Sequence, residues 1–413
     1  MKRKSAVLCG AALAATVLLG AACSSSKSQT GASSTGSSKD TAKAVGTPVK
    51  VSFIVDESQA KNVSQAAIRA GIKAAVQRIN NSGNGLGGSG HPIDLQTCVT
   101  NLDPNQAADC ARRAANDPSV VATVGNVLTE DENSIFESAG LPVIPAYPTN
   151  AGDFSSPVVF LTNGGSVIAA SGSATLAVKD IQAKRVGILN PDYAVSVKNT
   201  QFIDATLQAL GAPTLIHPVR VPLTASDISS YVASAAQGVD AVLLLLPPGQ
   251  SQQALLGAQS QGIKVPFVEL GLAQTPDLLK SVGAAANGVQ VANWFPTSDV
   301  EVPGNKQFEA DVSAAGETDQ SGDAAKSAWL AFQLLDRAAK GLTTLDRSTL
   351  LKGLKGATDF DGGGLTPKLD FSKPGPDAKF PRVLNWTYFD AAIKDGKLVS
   401  AGSGSLEPIP PTL

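Results

Sequence analysis

Ala241-Val242-Leu243-Leu244-Leu245-Leu246 is a run of six apolar residues with no alternation. A strand with one wet face alternates apolar and polar side chains, whereas a strand buried on both faces reads as a continuous apolar run. Both faces are buried when helices cover a parallel sheet from either side, which is an α/β architecture. Short apolar runs at 49–55, 93–97, 120–125, 142–145, 158–162, 186–190, 266–270 and 289–295 read as further strands, with helical patterns between most of them. In the first of those helices Ile68, Ile72, Ala75, Val76 and Ile79 fall on one face, and Asn80-Asn81-Ser82-Gly83 stops it. Helices are also expected at 105–115 and from Glu130 to Ala139.

The N-terminus has a different character. Lys2, Arg3 and Lys4 precede an uncharged stretch from Ala6 to Leu19, followed by Leu19-Gly20-Ala21-Ala22-Cys23. This is the order of a secretory signal, 1–22, and its apolar run is short for a permanent membrane span. The cysteine after small residues resembles the lipobox of bacterial lipoproteins, with leucine one place further from the cysteine than usual. That likeness implies a lipid on Cys23, which would hold the chain at the outer face of the cell membrane. Residues 23–48 hold Ser, Thr, Gly, Ala and Lys with little to bury, the composition of a flexible tether. An ordinary secretory signal with a chance cysteine is the alternative.

Some 360 residues remain, which suits two lobes better than one core. Thirty-three basic and 35 acidic residues leave a net charge of −2. No basic stripe appears, so no nucleic-acid partner is expected. Of four cysteines, Cys9 leaves with the signal and Cys23 would be lipidated. Cys98 ends a strand and Cys110 sits early in a helix. In an oxidising compartment this pair is expected to be bridged, worth about 3 kcal/mol for so short a loop. A metal site would need more ligands, and the two histidines, His91 and His217, both precede proline in apparent connections. No metal or other cofactor is expected. Gly83-Asn84-Gly85-Leu86-Gly87-Gly88 satisfies the dinucleotide pattern Gly-x-Gly-x-x-Gly. It follows a helix and precedes a strand, the reverse of what a dinucleotide needs, and is read as a turn.

Several stretches together resemble the leucine/isoleucine/valine-binding family. "GIKAAVQRIN" (71–80) with "NSGNGLGGSGHPIDL" (81–95) is similar to its first helix, glycine turn and second strand. "CVTNLDPNQAADCARRAANDPSVVATVG" (98–125), "AGLPVIPAYPTN" (139–150) and "RVGILNPDYAVS" (185–196) resemble later segments in the same order. The likeness covers nearly all of the chain from Val49 to about Ser400. It implies a type I periplasmic-binding fold: two Rossmann-like lobes with parallel sheets, joined by three crossovers around a ligand cleft. Residues 49–163 with 293–364 would form lobe one, and 164–292 with 365–413 lobe two. It further implies a monomeric extracytoplasmic receptor that delivers a small-molecule ligand to an ABC permease. Relatives bind amides, urea or aromatic acids as well as amino acids.

The cleft residues follow from the loops after the strands. Asn126, Leu128 and Thr129 follow the third strand. The family places a Ser or Thr at Thr129 on the ligand carboxylate, while Thr129-Glu130-Asp131-Glu132 also reads as a capping box. Thr149 corresponds to the family's Ala-Thr-Asn loop. Tyr147 either lines the cleft or packs beneath it. Tyr193 matches the family's Tyr-Gly pair, with Ala194 in place of glycine. Where amino-acid binders carry an aromatic, this chain has Pro247-Pro248-Gly249. Their ammonium-binding acid has its nearest match in Glu269, about two residues early, which otherwise is a strand-end carboxylate paired elsewhere. Trp294 supplies an apolar wall or belongs to the core.

The leading expectation is a lipid-anchored solute receptor that closes over its ligand without chemistry. A sensor or accessory lipoprotein on the same fold is the alternative. An extracytoplasmic hydrolase finds no support in Gly-x-Ser-x-Gly, Walker, His-Glu-x-x-His or Ser-x-x-Lys motifs, so no catalytic residues are expected.

Overall fold

The apolar run of β1 (Val49–Val55) is buried almost throughout because it lies between two parallel neighbours, β2 (Ile93–Val99) and β3 (Val120–Val124). A short β4 (Val143–Ile144) pairs with β3 and completes a sheet of order β2-β1-β3-β4. The computed structural model describes residues 43–55, 65–101, 103–128, 131–192, 194–212 and 215–411. The signal, Cys23 and most of the tether lie outside these residues. Of the tether, Ala44 and Gly46 donate to the carbonyls of Asn80 and Gly90.

Helices α1 (Gln65–Asn81), α2 (Pro104–Asn116), α3 (Asn133–Ser138) and α4 (Ala151–Ser155) connect and follow these strands. The chain then enters a second sheet through α5 (Gly165–Lys179), β5 (Arg185–Pro191), α6 (Ala194–Ala209), β6 (Leu215–Val221), α7 (Ser229–Ala235) and β7 (Ala241–Leu244). It continues through α8 (Pro248–Ser260), β8 (Phe267–Leu270), α9 (Pro276–Val282) and β9 (Gln290–Asn293). From β9 it returns to the first lobe. There α10 (Pro303–Ala314) and α11 (Asp323–Ala339) pack along α1, and α12 (Arg347–Lys355) packs on α11 and β3. The end of the chain crosses once more: β10 (Thr387–Lys394) lies antiparallel on β9, with β11 (Lys397–Ser400) and β12 (Leu406–Pro408) antiparallel on β10. The second sheet has the order β11-β10-β9-β8-β7-β5-β6, with β5 to β9 parallel. The fold is therefore the two-lobed α/β type I periplasmic-binding architecture.

Close packing explains two sequence features. A Cβ on Gly71 would sit 2.1 Å from the Ala325 carbonyl oxygen, so glycine sets the spacing of α1 and α11. Arg347 spends its guanidinium on main-chain carbonyls of Val120, Ala115, Ala114 and Asp117. It thereby closes the carboxyl end of α2, where carbonyls lack helical partners.

Several expectations need correction. Residues 158–162 are buried but not a strand, and only Val159 bridges Val143. The helix expected from Glu130 shortens to Asn133–Ser138. His217 sits within β6, opposite Gly187, rather than in a connection. His91 does lie in a turn, with Nδ1 2.7 Å from the Thr47 carbonyl. The sulfurs of Cys98 on β2 and Cys110 on α2 lie within bonding distance, their Cα atoms 5.8 Å apart. No helix among the described residues is long and apolar enough to cross a membrane.

Candidate ligand-binding cleft

In parallel α/β sheets the loops at the carboxyl ends of the strands form the binding crevice. The loop after β3 begins with Asn126, which is buried and internally committed. Its Oδ1 accepts the Ile54 N–H at 3.0 Å, and Nδ2 lies 2.7 Å from Thr123 Oγ1. Its carbonyl accepts the N–H of Ala146. Asn126 thus ties together the exits of β1, β3 and β4. Thr129 and Tyr193 lie outside the described residues.

Leu128 is half-buried and offers its carbonyl to the next loop, taking Thr149 Oγ1 and Asn150 Nδ2 at 3.1 Å each. The Thr149 and Asn150 N–H groups go to Asp153 Oδ2, both at 2.9 Å. Asn133 Nδ2 meets the other oxygen of Asp153 at 2.9 Å. Asp131 reaches across to the Gly152 N–H at 2.7 Å. Burial pushes the Asp153 carboxyl above the usual carboxylate range in spite of its three donors. A residue of the chain's own therefore fills the donor nest at the start of α4. Neither the N–H nor the hydroxyl proton of Thr149 is left for an anionic ligand.

In the second lobe Pro247 and Pro248 open α8, Pro248 at its first position, where the missing N–H costs nothing. Glu269 lies on β8 and is wholly buried on the side facing α8. Gln274 Nε2 donates to its Oε2, and burial lifts its pKa to about 7. It thus bonds to Gln274 of the loop that follows its own strand.

The strand exits of the two sheets meet at Tyr147, after β4, and Trp294, after β9. Their ring centroids are 5.4 Å apart at a tilt of 38°. Trp294 is only 2% exposed, and Phe295 stands edge-on to it at 6.4 Å. The first crossover is fixed to the same place. Asn163 Nδ2 donates to Ser327 Oγ at 2.7 Å and to the Ala146 carbonyl at 3.2 Å. Gly165, at φ +55°, approaches so closely that a Cβ would lie 2.0 Å from the Pro148 carbonyl oxygen. The second crossover is held by Asp323, whose Oδ2 accepts the Trp294 N–H at 2.6 Å.

The residues brought together are thus Leu128, Tyr147, Thr149 and Trp294, with Asn126 behind them and Glu269 apart. Asp323, Lys326 and Asn163 were not anticipated from sequence. For the two charged residues the one signal is Asp323-Ala-Ala-Lys326 at the start of an apolar helix, where two charges join a buried face.

A profile described as periplasmic binding protein matches residues 48–382. No curated protein sequence matches the chain. Solved structures do. A leucine-binding protein from Thermotoga maritima superposes with a TM-score of 0.70 at 18% identity, covering 86% of this chain and 98% of its own. A solute-binding protein from R. palustris, in complex with benzoate, gives 0.73 at 18% identity, with 89% and 99% covered. A fatty acid ABC transporter substrate-binding protein from Thermomonospora curvata gives 0.74 at 17% identity, with 89% and 94% covered.

Proposed function

We propose, on the premise that this chain belongs to the periplasmic binding protein family, that it is a lipid-anchored solute receptor of an ABC importer. The Tyr147–Trp294 contact carries this reading, because it joins the strand-end loops of both sheets where a ligand would be enclosed. Residues 49–163 with 293–364 act as one lobe and 164–292 with 365–413 as the other, closing over a small polar ligand by hinge motion. Cys23 carries the lipid, residues 23–48 are the tether, and the receptor works as a monomer outside the cytoplasm. Cys98 and Cys110 form a structural disulfide suited to that compartment. The protein binds its ligand and performs no chemistry on it.

The ligand named for each of the three similar structures bears a carboxylate. Here Asp153 already occupies the donors of the Thr149 loop. With those donors spent and the exposed Asp131 carboxylate beside them, this loop favours a neutral or donor-rich ligand, such as an amide, over an amino-acid carboxylate.

The test is a scan of thermal stability against amino acids, amides, urea, aromatic acids, sugars and polyamines. A ligand at a hundred times its dissociation constant adds about 2.7 kcal/mol to the folded state. Stabilisation by one class that disappears in Tyr147→Ala supports a receptor, and no stabilisation by any class overturns it. Uptake of the labelled ligand by cells holding the permease separates import from sensing. Cys23→Ala should move the protein from the membrane to the soluble fraction.

A further inference from the structure

A cavity of about 720 Å³ opens beside the second crossover, bounded by α9, the turn between β10 and β11, and the first turn of α11. Its lining includes Asn293 and Thr297 of the crossover and not Trp294 or Tyr147, so it is distinct from the cleft described above. The floor is polar and deeply buried: Gln274, Asn293, Thr297, Asp323 and Lys326 are each less than 5% exposed. Gln274 Oε1, Asn293 Oδ1 and Thr297 Oγ1 have no hydrogen-bond partner among the described residues. Unpaired buried polar atoms cost free energy that a bound polar molecule recovers.

Charge decides the kind of molecule. The Lys326 ammonium carries three donors but makes one hydrogen bond, to the Pro296 carbonyl at 2.6 Å. No carboxylate among the described residues forms an ion pair with it. Asp323, its nearest acid along the helix, is turned to the main-chain N–H groups of Trp294 and Phe295. Lys280 and Lys397 stand at the exposed rim, against one rim acid, Asp395. Among the lining residues three lysines face two acids, and Asp299 and Glu309 act on Lys326 from outside the lining without an ion pair. Gly322 opens α11 without a side-chain cap, so the helix start adds positive potential.

We infer that this cavity is a second ligand site, for a small carboxylate carrying a neighbouring hydroxyl or amino group. The carboxylate meets Lys326 and the rim lysines. The neighbouring group meets the Asn293 and Gln274 amides and the Thr297 hydroxyl. Because Asn293, Thr297 and Asp323 all belong to or hold the second crossover, an occupant stiffens the connection between the lobes.

Calorimetric titration of the full chain with L-lactate and L-malate tests the site, with ethanolamine as the cationic control. Saturable binding of the hydroxy acids is expected. Lys326→Met should weaken it about tenfold to a hundredfold, the usual consequence of removing a charged hydrogen-bond partner. Ala284→Trp, a change at an exposed lining position, should block it without disturbing the core, so the test stands even if the lysine variant folds poorly. Tyr147→Ala should leave it intact. Absence of binding, or binding of ethanolamine alone, overturns the proposal. So does binding that Tyr147→Ala abolishes and the other two variants spare, since the acid would then occupy the cleft and the receptor reading would survive by itself.

Discussion

The Asp323 carboxylate, at the first position of α11, accepts the Trp294 N–H at 2.6 Å, so a helix packed on the first lobe grips the strand exit of the second. Burial raises Asp323 to a pKa of about 7, and Glu269 on β8 to about 7 as well. Lys326, one turn along α11, is lowered by burial to about 8.

These three groups make stability depend on pH. The folded chain holds protons on Asp323 and Glu269 more tightly than the unfolded chain, so stability falls as pH rises from about 4 to about 7. The unfolded chain holds the Lys326 proton more tightly, so stability recovers between about 8 and the ordinary lysine value of 10.5. Each tenfold change in an acidity constant is worth about 1.4 kcal/mol. Urea midpoints measured across this range should trace the dip. The double variant Asp323→Asn, Glu269→Gln should make its acid side shallower, the remainder coming from Asp390 and the other buried carboxyls.

Trp294→Ala should cost about 3–5 kcal/mol of stability, the usual loss for a buried aromatic. Tyr147→Ala should cost less, about 0.5–1.5 kcal/mol for the ring pair plus a part of its packing. Both variants should weaken binding of the cleft ligand. Chemical denaturation and titration of the same samples separate the two effects.

Thr149→Val removes the hydroxyl bond to the Leu128 carbonyl. It should lower stability by about 1 kcal/mol and leave cleft affinity unchanged, because the hydroxyl proton is already used inside the loop. A large loss of affinity with intact stability would place this hydroxyl on the ligand instead.

Replacing Cys98 and Cys110 by alanine should cost about 3 kcal/mol if the pair is oxidised in the native protein. Reductant should lower the melting temperature of the parent chain and not that of the double variant.

Much of the fold is legible in particular residues. The helical spacing of Ile68, Ile72 and Ile79 marks α1, and all three are buried. The unbroken run at 241–246 marks β7 at the middle of the parallel sheet. The strand β6 is hidden by Pro218, which interrupts the run. It survives because β6 is the last strand of its sheet and pairs only with β5, where a missing N–H is tolerated. The apolar stretch 158–162 has the composition of a strand but serves as the approach to a crossover, which local pattern does not distinguish. The cleft is harder still. Asn126 and Thr149 have the right residue types at the right loops, yet their hydrogen-bonding groups are spent on Ile54, Thr123, Leu128 and Asp153. Only three-dimensional neighbours reveal such commitments, and the same holds for Asp323 and Lys326, which approach the crossover from a helix some 30 residues later.

Val291, in β9, pairs across the sheet with Ala391 in β10, a partner made a hundred residues later. A ribosome or an export channel delivers the chain from its N-terminus onward. While α10, α11 and α12 emerge and assemble on the first lobe, the β9 edge stays bare. Hydrogen-bonding groups along that edge can then recruit strands from other chains. The interval before β10 arrives is therefore one of exposure to edge-to-edge aggregation. Release of the last residues from the channel brings it to a close.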